Sequence, residues 1–321
     1  MSARIYVGDL THSRDIALQT AFDYVGLYKE LSSPSKIFVK PNFTFPRPMP
    51  GVTTSKELLE PVLRLLSETG AEVFVGESNG GYGSFLASEA FAGHGLEELC
   101  RATGSQPLDL SQQDLQDYSG SIGGTKTTVS LPRILVEEID FTISIPVLKV
   151  HVMTTVSLSL KNLWGCYPSD MRLLEHKEIE RKLALISKLT KSRFGIVDGF
   201  FGLDEHGPME GTPRFLGKFI AGNDLLALDF ACARMMGFKP QRVRHLRKLA
   251  YFLYGSCELP RVDSNEDLEQ YNWSFRVQRN FIDNLTLACF HSNLLAKIVF
   301  DSPLTPPIYS ILGRRPRRKL A

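Results

Sequence analysis

Residues Lys36-Ile37-Phe38-Val39-Lys40, then 55–69 (SKELLEPVLRLLSET), then Ala71-Glu72-Val73-Phe74-Val75-Gly76 decide the fold class. The first is a short apolar run closed by Pro41 and reads as a buried strand. The second places Leu58, Leu59, Val62, Leu63, Leu65 and Leu66 on one broad side at helical spacing, with Gly70 as the stop. Pro61 predicts a kink within that helix. The third is another strand, and strand–helix–strand in this order is the βαβ unit of a parallel sheet with right-handed crossovers.

The pattern continues outward. Helices are expected at 95–103, at 173–191 with a Glu178–Lys182 pair, and at 224–236. Strands are expected at 108–110, 127–131, 141–147, 194–198 and 218–222. The fold class is therefore α/β, a mainly parallel sheet flanked by helices with a small C-terminal appended subdomain. The expected divisions are 1–248 for the core domain carrying the site, 249–301 for the aromatic, weakly periodic subdomain, and 302–321 for a Pro-rich basic tail.

The chain has 321 residues, 43% hydrophobic and 22% charged, a globular composition that excludes wholesale disorder. No stretch approaches ~18 uninterrupted apolar residues, and the charged start, MSARIYVGDLTHSRD, does not read as a secretory leader. The net charge of +2 gives no large field for nucleic acid. Arg314, Arg315, Arg317, Arg318 and Lys319 concentrate positive charge in the tail, which reads first as a solvated terminus and alternatively as a weak contact with an anionic membrane surface. The five cysteines, Cys100, Cys166, Cys232, Cys257 and Cys289, are scattered with no C-x-x-C, so no internal iron–sulfur cluster is expected and a cytoplasmic location fits.

Four constellations carry the candidate chemistry. Lys40 and Asn42 lie just past a strand end, and Thr53 and Thr54 precede a helix whose free amides suit an anion. Ser78, Gly80 and Gly81 form a glycine loop that is neither a dinucleotide fingerprint nor a P-loop. Glu77, beside it, would repel phosphate unless a cation intervened, so Glu77 is a candidate metal ligand with Asp198, which ends a later strand. In 145–165 a buried strand delivers Lys149 and His151 at i,i+2 on one face, followed by Lys161 and Asn162. Two lysines and a histidine gathered there need an anion to balance them, and both residue types suit proton transfer. Around Gly207-Pro208-Met209-Glu210-Gly211-Thr212-Pro213 the glycine and proline density marks a shaped loop.

Taken together, VKPNF, GVTT, VGESNGG, IPVLKVH, SLKNLWG, VDGF, GPMEGTP, AGND and ALD resemble the blocks of a prokaryotic family known as domain of unknown function 362, over about residues 36–240. Some members of that family carry a ferredoxin-type cysteine module. The run 145–165 is similar to a stretch of the nickel-pincer lactate racemase family. That similarity implies an acid/base or ligand role for His151 and an anion-holding role for Lys161, although Val156, Leu158 and Leu160 stand where that family has glycines.

The resulting expectation is a cytoplasmic enzyme that binds a small anionic metabolite and moves a proton, isomerase- or epimerase-like. His151, Lys149 and Lys161 would be its catalytic groups, and a divalent metal a conceivable aid. The alternatives are a non-catalytic binding protein for a phosphate- or carboxylate-bearing metabolite, or a redox enzyme served by an external centre. The identity of the cofactor and the oligomeric state are open at this level.

Overall fold

The computed structural model describes residues 2–31, 35–258, 261–280, 283–284, 287 and 292–305. Its strands are β1 (Ala3–Asp9), β2 (Lys36–Pro41), β3 (Glu72–Glu77), β4 (Gln106–Asp109), β5 (Leu115–Ile122), β6 (Thr125–Pro132), β7 (Phe141–Ile145), β8 (Val147–His151), β9 (Thr155–Ser157), β10 (Phe194–Asp204), β11 (Thr212–Gly222) and β12 (Val262–Ser264). Helices are α1 (Arg14–Val25), α2 (Leu27–Glu30), α3 (Lys56–Ser67), α4 (Ala87–His94), α5 (Leu96–Thr103), α6 (Ser159–Asn162), α7 (Ile179–Leu189), α8 (Leu225–Met235) and α9 (Arg244–Tyr254). Among the described residues the main sheet runs β12-β1-β11-β10-β7-β2-β3-β4, with β8 beside β10 and β9 beside β8. Pairings from β10 through β7, β2 and β3 to β4 are parallel, and β11 lies antiparallel between β1 and β10. β5 and β6 form a separate antiparallel hairpin.

Alternation along the strands explains the layers. In β2, Ile37 and Val39 join the cluster under α1, α3 and α5, while Phe38 joins the cluster on the opposite face. Helix α3 buries Leu58, Leu59, Val62, Leu63, Leu65 and Leu66 against the sheet, at roughly 1.5–3 kcal/mol for each fully buried side chain. Pro61 is buried inside this continuous helix. The chain leaves β2 toward β3 and β4 on one side, then returns to place β7 on the other side. The carboxyl ends of β2 and β7 thus flank a topological switch point, where open α/β sheets form ligand crevices.

Four local expectations change. The strand expected at 141–147 is divided at Pro146, whose ring removes a ladder donor, into β7 and β8. The helix expected from 173 begins as 3-10 turns over Arg172–Glu178, and α-helical spacing starts only at Ile179. Glu178 therefore sits at the N-cap, and Lys182 pairs with Glu175 instead. The short strands at 194–198 and 218–222 are the inner parts of the long β10–β11 hairpin, whose tip is 205–211.

Beyond α9 the chain runs back onto the body. β12 pairs parallel with β1, Phe275 is buried in the main core, and Trp273 packs beside Tyr271 and donates its amide to Met235 O. Helix Asn293–Phe300 packs Ala296 against Met171, Leu173 and Leu174. The basic cluster 314–319 and Cys289 lie outside the described residues. Among the described residues no helix is long and apolar enough to cross a membrane. Cys100, Cys166 and Cys232 are buried and free, and burial pushes the Cys166 thiol up to about 12.

Candidate functional site

A cavity of about 990 Å³ opens beyond the carboxyl rim of the sheet. Its wall brings together Asn42, Glu77, Ser78, Gly80, Gly81, Lys149, His151, Lys161 and Asn162 from the sequence-predicted set. The tip of the β10–β11 hairpin supplies another wall, including His206, Gly207 and Pro208. Gly207 is required there because a Cβ would collide with the carbonyl of Val150.

The floor is a buried ion pair. Lys40 Nζ donates to Glu77 Oε2 at 2.5 Å and to Pro41 O at 2.8 Å. Glu77 also accepts from the amides of Phe43 and Ser78. Gly165 closes over this pair: a Cβ there would press on Glu77 Oε1 and stand 2.8 Å from Lys40 Cε. Asn162 ties the floor together, donating to Lys40 O and Ser144 Oγ at 2.8 and 3.1 Å. Lys149 Nζ donates to Val52 O at 2.9 Å, and Asn42 Nδ2 donates to the same carbonyl.

Lys149, Lys161 and Arg172 share this space, and Glu77 is already engaged by Lys40. The other lining carboxylates, Glu205, Glu210 and Asp283, are half-buried or exposed. Burial lowers Lys149 to about 7, helped by the charge of Lys161. Burial with the charge of Arg172 lowers Lys161 to about 8. Desolvation, with Lys161 next, holds His151 well below the usual imidazole range. His151 Nδ1 accepts the Met153 amide at 3.0 Å, so the neutral ring carries its proton on Nε2. The turn after His151 is tight, and Thr155 holds φ at +71°, unusual for a β-branched residue.

Several expected site residues do other work. Thr54 Oγ1 donates to Ile145 O and accepts from the Asn42 amide, and Thr53 Oγ1 bonds Met49. Neither threonine lines the cavity, and Lys40 lies beneath it. Asp198 caps the entry to α3: its carboxylate accepts the amides of Ser55 at 2.6 Å and Phe200 at 2.9 Å. Its bond to Ser55 lies at the N-cap of α3. Glu77 is held by Lys40 and two amides. Among the described residues no three His, Cys, Asp or Glu side chains stand together as a metal site. Val156, Leu158 and Leu160 are packed into the hydrophobic core. With these bulky side chains where that family has glycines, the run does not fit a nickel-pincer site.

Sequence reasoning missed Arg172, Trp164, His176 and Asp229. Arg172 donates to Ser78 Oγ, Tyr167 O and Asn79 O, pinning the glycine loop. Trp164 lines the cavity, and its Nε1 is buried with no hydrogen-bond partner among the described residues. Burial lowers His176 to about 4. Asp229 on α8 accepts the amides of Ser159 and Leu160 at 2.7 and 3.0 Å, fixing the turn that carries Lys161. Only Trp164, within SLKNLWG, and Asp229, within ALD, left a motif signal.

The profile of the family described as Domain of unknown function (DUF362) matches residues 37–234. The chain belongs to that family. The thylakoid-associated protein sll1697 of Synechocystis sp. is 27% identical over 238 residues, covering 71% of each chain. Among solved structures, the lactate racemase apoprotein of Thermoanaerobacterium thermosaccharolyticum aligns with TM-score 0.47 and 12% identity, over 73% of this chain and 57% of that one. A Thermotoga maritima protein aligns with TM-score 0.39 and 16% identity, over 68% and 58%. This chain thus spans less than two thirds of either solved chain.

Proposed function

We propose that the cavity binds a small anionic metabolite in the cytoplasm and moves a proton on it, an isomerase- or epimerase-like activity. The observation that carries this reading is charge balance. Lys149, Lys161 and Arg172 line one cavity in which the buried carboxylate, Glu77, is engaged by Lys40. Cations gathered out of water are costly unless an anion joins them. Lys149, held at about 7, exchanges a proton readily at neutral pH and serves as the acid/base group. His151 donates from Nε2 to oxygen on which charge develops, the role of a neutral imidazole. Asn42, Ser78 and the Gly80-Gly81 backbone shape the anion's seat.

The test is a thermal-shift series with phosphate, oxalate, malate and lactate. Hits are then incubated in D2O, and exchange of their carbon-bound protons is followed by NMR. Stabilisation and exchange are expected, with exchange slowed ~10²–10⁴-fold in Lys149→Met. Binding without exchange would make the protein a receptor, and no binding by any anion would end the reading.

A further inference from the structure

Lys161 and Trp164 lie one turn apart, on α6 and on the 3-10 turn Leu163–Cys166 that follows it, and both line the cavity. Residues spaced i,i+3 share a helical face. The three amines, Lys40 and Lys149 buried and Lys161 half-buried, differ in their surroundings. Lys40 is held by Glu77 and Pro41 O, and Lys149 by Val52 O. Lys161 makes no hydrogen bond or ion pair among the described residues, and its neighbour Trp164 Nε1 is a buried donor without an acceptor. Arg172, on the adjoining wall, uses Nη1 and one Nη2 hydrogen on protein oxygens, which leaves Nε–H and a second Nη2–H uncommitted among the described residues. Asp229 holds the turn beneath Lys161 in place.

We propose that the ligand is a carbonyl compound bearing a carboxylate or phosphate, and that Lys161 adds to its carbonyl carbon to form an imine while Arg172 holds the anionic group. The proposal rests on the anion-binding reading of this cavity and names its substrate class.

The step balances without an oxidant or a second reactant. The Nζ lone pair forms the C–N bond as the C=O π pair moves onto oxygen, which takes up a proton. The carbinolamine then loses that oxygen as water, leaving a protonated imine. The positive nitrogen draws electrons from the neighbouring C–H bond, so the carbon acid beside it gives up its proton more easily. Addition of water reverses the sequence and frees the lysine. Burial and Arg172 hold Lys161 near 8, so a share of it is neutral at pH 7 and able to attack.

The probe is pyridoxal 5'-phosphate, an anionic aldehyde, with the full chain and sodium borohydride to fix any imine. Modified peptides are mapped by mass spectrometry. The expected result is reduced adduct on Lys161, suppressed by excess inorganic phosphate and lost in Lys161→Arg, whose folding is checked by circular dichroism. Because the wild-type map stands alone, a poorly folded variant does not blunt the test. Adduct on Lys149 or on exposed lysines, with Lys161 unmodified, overturns the assignment. If phosphate raises the melting temperature but Lys161 stays unlabelled, the imine step fails and the anion-binding reading survives. If phosphate has no effect and no adduct forms, both fail.

Discussion

Two sets of buried charges sit near the same rim and obey opposite rules. Asp198, Asp229 and Lys149 are 1%, 1% and 3% exposed. Each aspartate bonds main-chain amides with both carboxylate oxygens: Ser55, from a distant segment, and Phe200, two residues on, for Asp198, and Ser159 and Leu160 for Asp229. Burial still raises them, to about 6 and about 7, but their hydrogen-bonding capacity is met within the chain. Among the described residues the lysines of the cavity have carbonyls at best and no buried free carboxylate beside them. The lesson is that burial alone does not mark a functional group. A buried charged group whose hydrogen bonds are met inside the chain reads as architecture, whereas buried amines clustered without a free carboxylate are where an outside anion gains most.

The largest expected effect comes from the pair that spans both sets. Lys40→Met leaves Glu77 buried without its cation and should cost about 3–5 kcal/mol in chemical denaturation. Lys40→Met with Glu77→Leu should recover most of that loss, because a buried pair replaced by apolar groups is nearly neutral. A single variant as stable as wild type would show that the pair is not desolvated.

Next is Asp229→Asn, which retains one acceptor and turns the other toward the amides as a donor. A loss of about 1–3 kcal/mol is expected, together with a smaller phosphate-induced rise in melting temperature as the Lys161 turn loosens. The sign with pH follows from the raised value. Between the unfolded carboxylate value of ~3.9 and about 7 the folded state holds the extra proton, so this group's contribution falls as pH rises through that window. The variant should remove that slope.

The smallest effect has the opposite sign. Lys149→Met should stabilise the empty protein at neutral pH, since a poorly balanced cation leaves the interior. In wild type the depressed value means the unfolded state binds more protons between about 7 and ~10.4, so stability rises with pH there by at most ~1.4 kcal/mol per unit. Denaturation curves across that range should flatten in the variant. If Lys149→Met is instead destabilising, the lysine belongs with the aspartates as architecture.

The βαβ order was legible because it is written locally. Apolar runs, the helical spacing of 58–66 and the stop at Gly70 lie within a few residues of each other. The outer half of the β10–β11 hairpin was not, because Gly199, Gly202, Gly211 and Pro213 interrupt the alternation that marks a strand. Lys149 and His151 could be placed on one face from period two alone. The reach of Asp198 to Ser55 and of Asp229 to Ser159 could not, since no local pattern encodes contacts across 143 and 70 residues. Arg172 was hidden for a related reason: it lies in 3-10 turns with no motif around it, and the tertiary fold alone brings it to Ser78.

The position of Trp164 also gives the molecule an optical readout. The chain has two tryptophans, and the other, Trp273, packs beside Tyr271 and does not line the cavity. With Trp273→Phe, the remaining indole emission originates from the cavity wall beside Lys161. Its wavelength and lifetime then report directly on polarity and occupancy there, so ligand titrations become possible by fluorescence before any turnover assay exists.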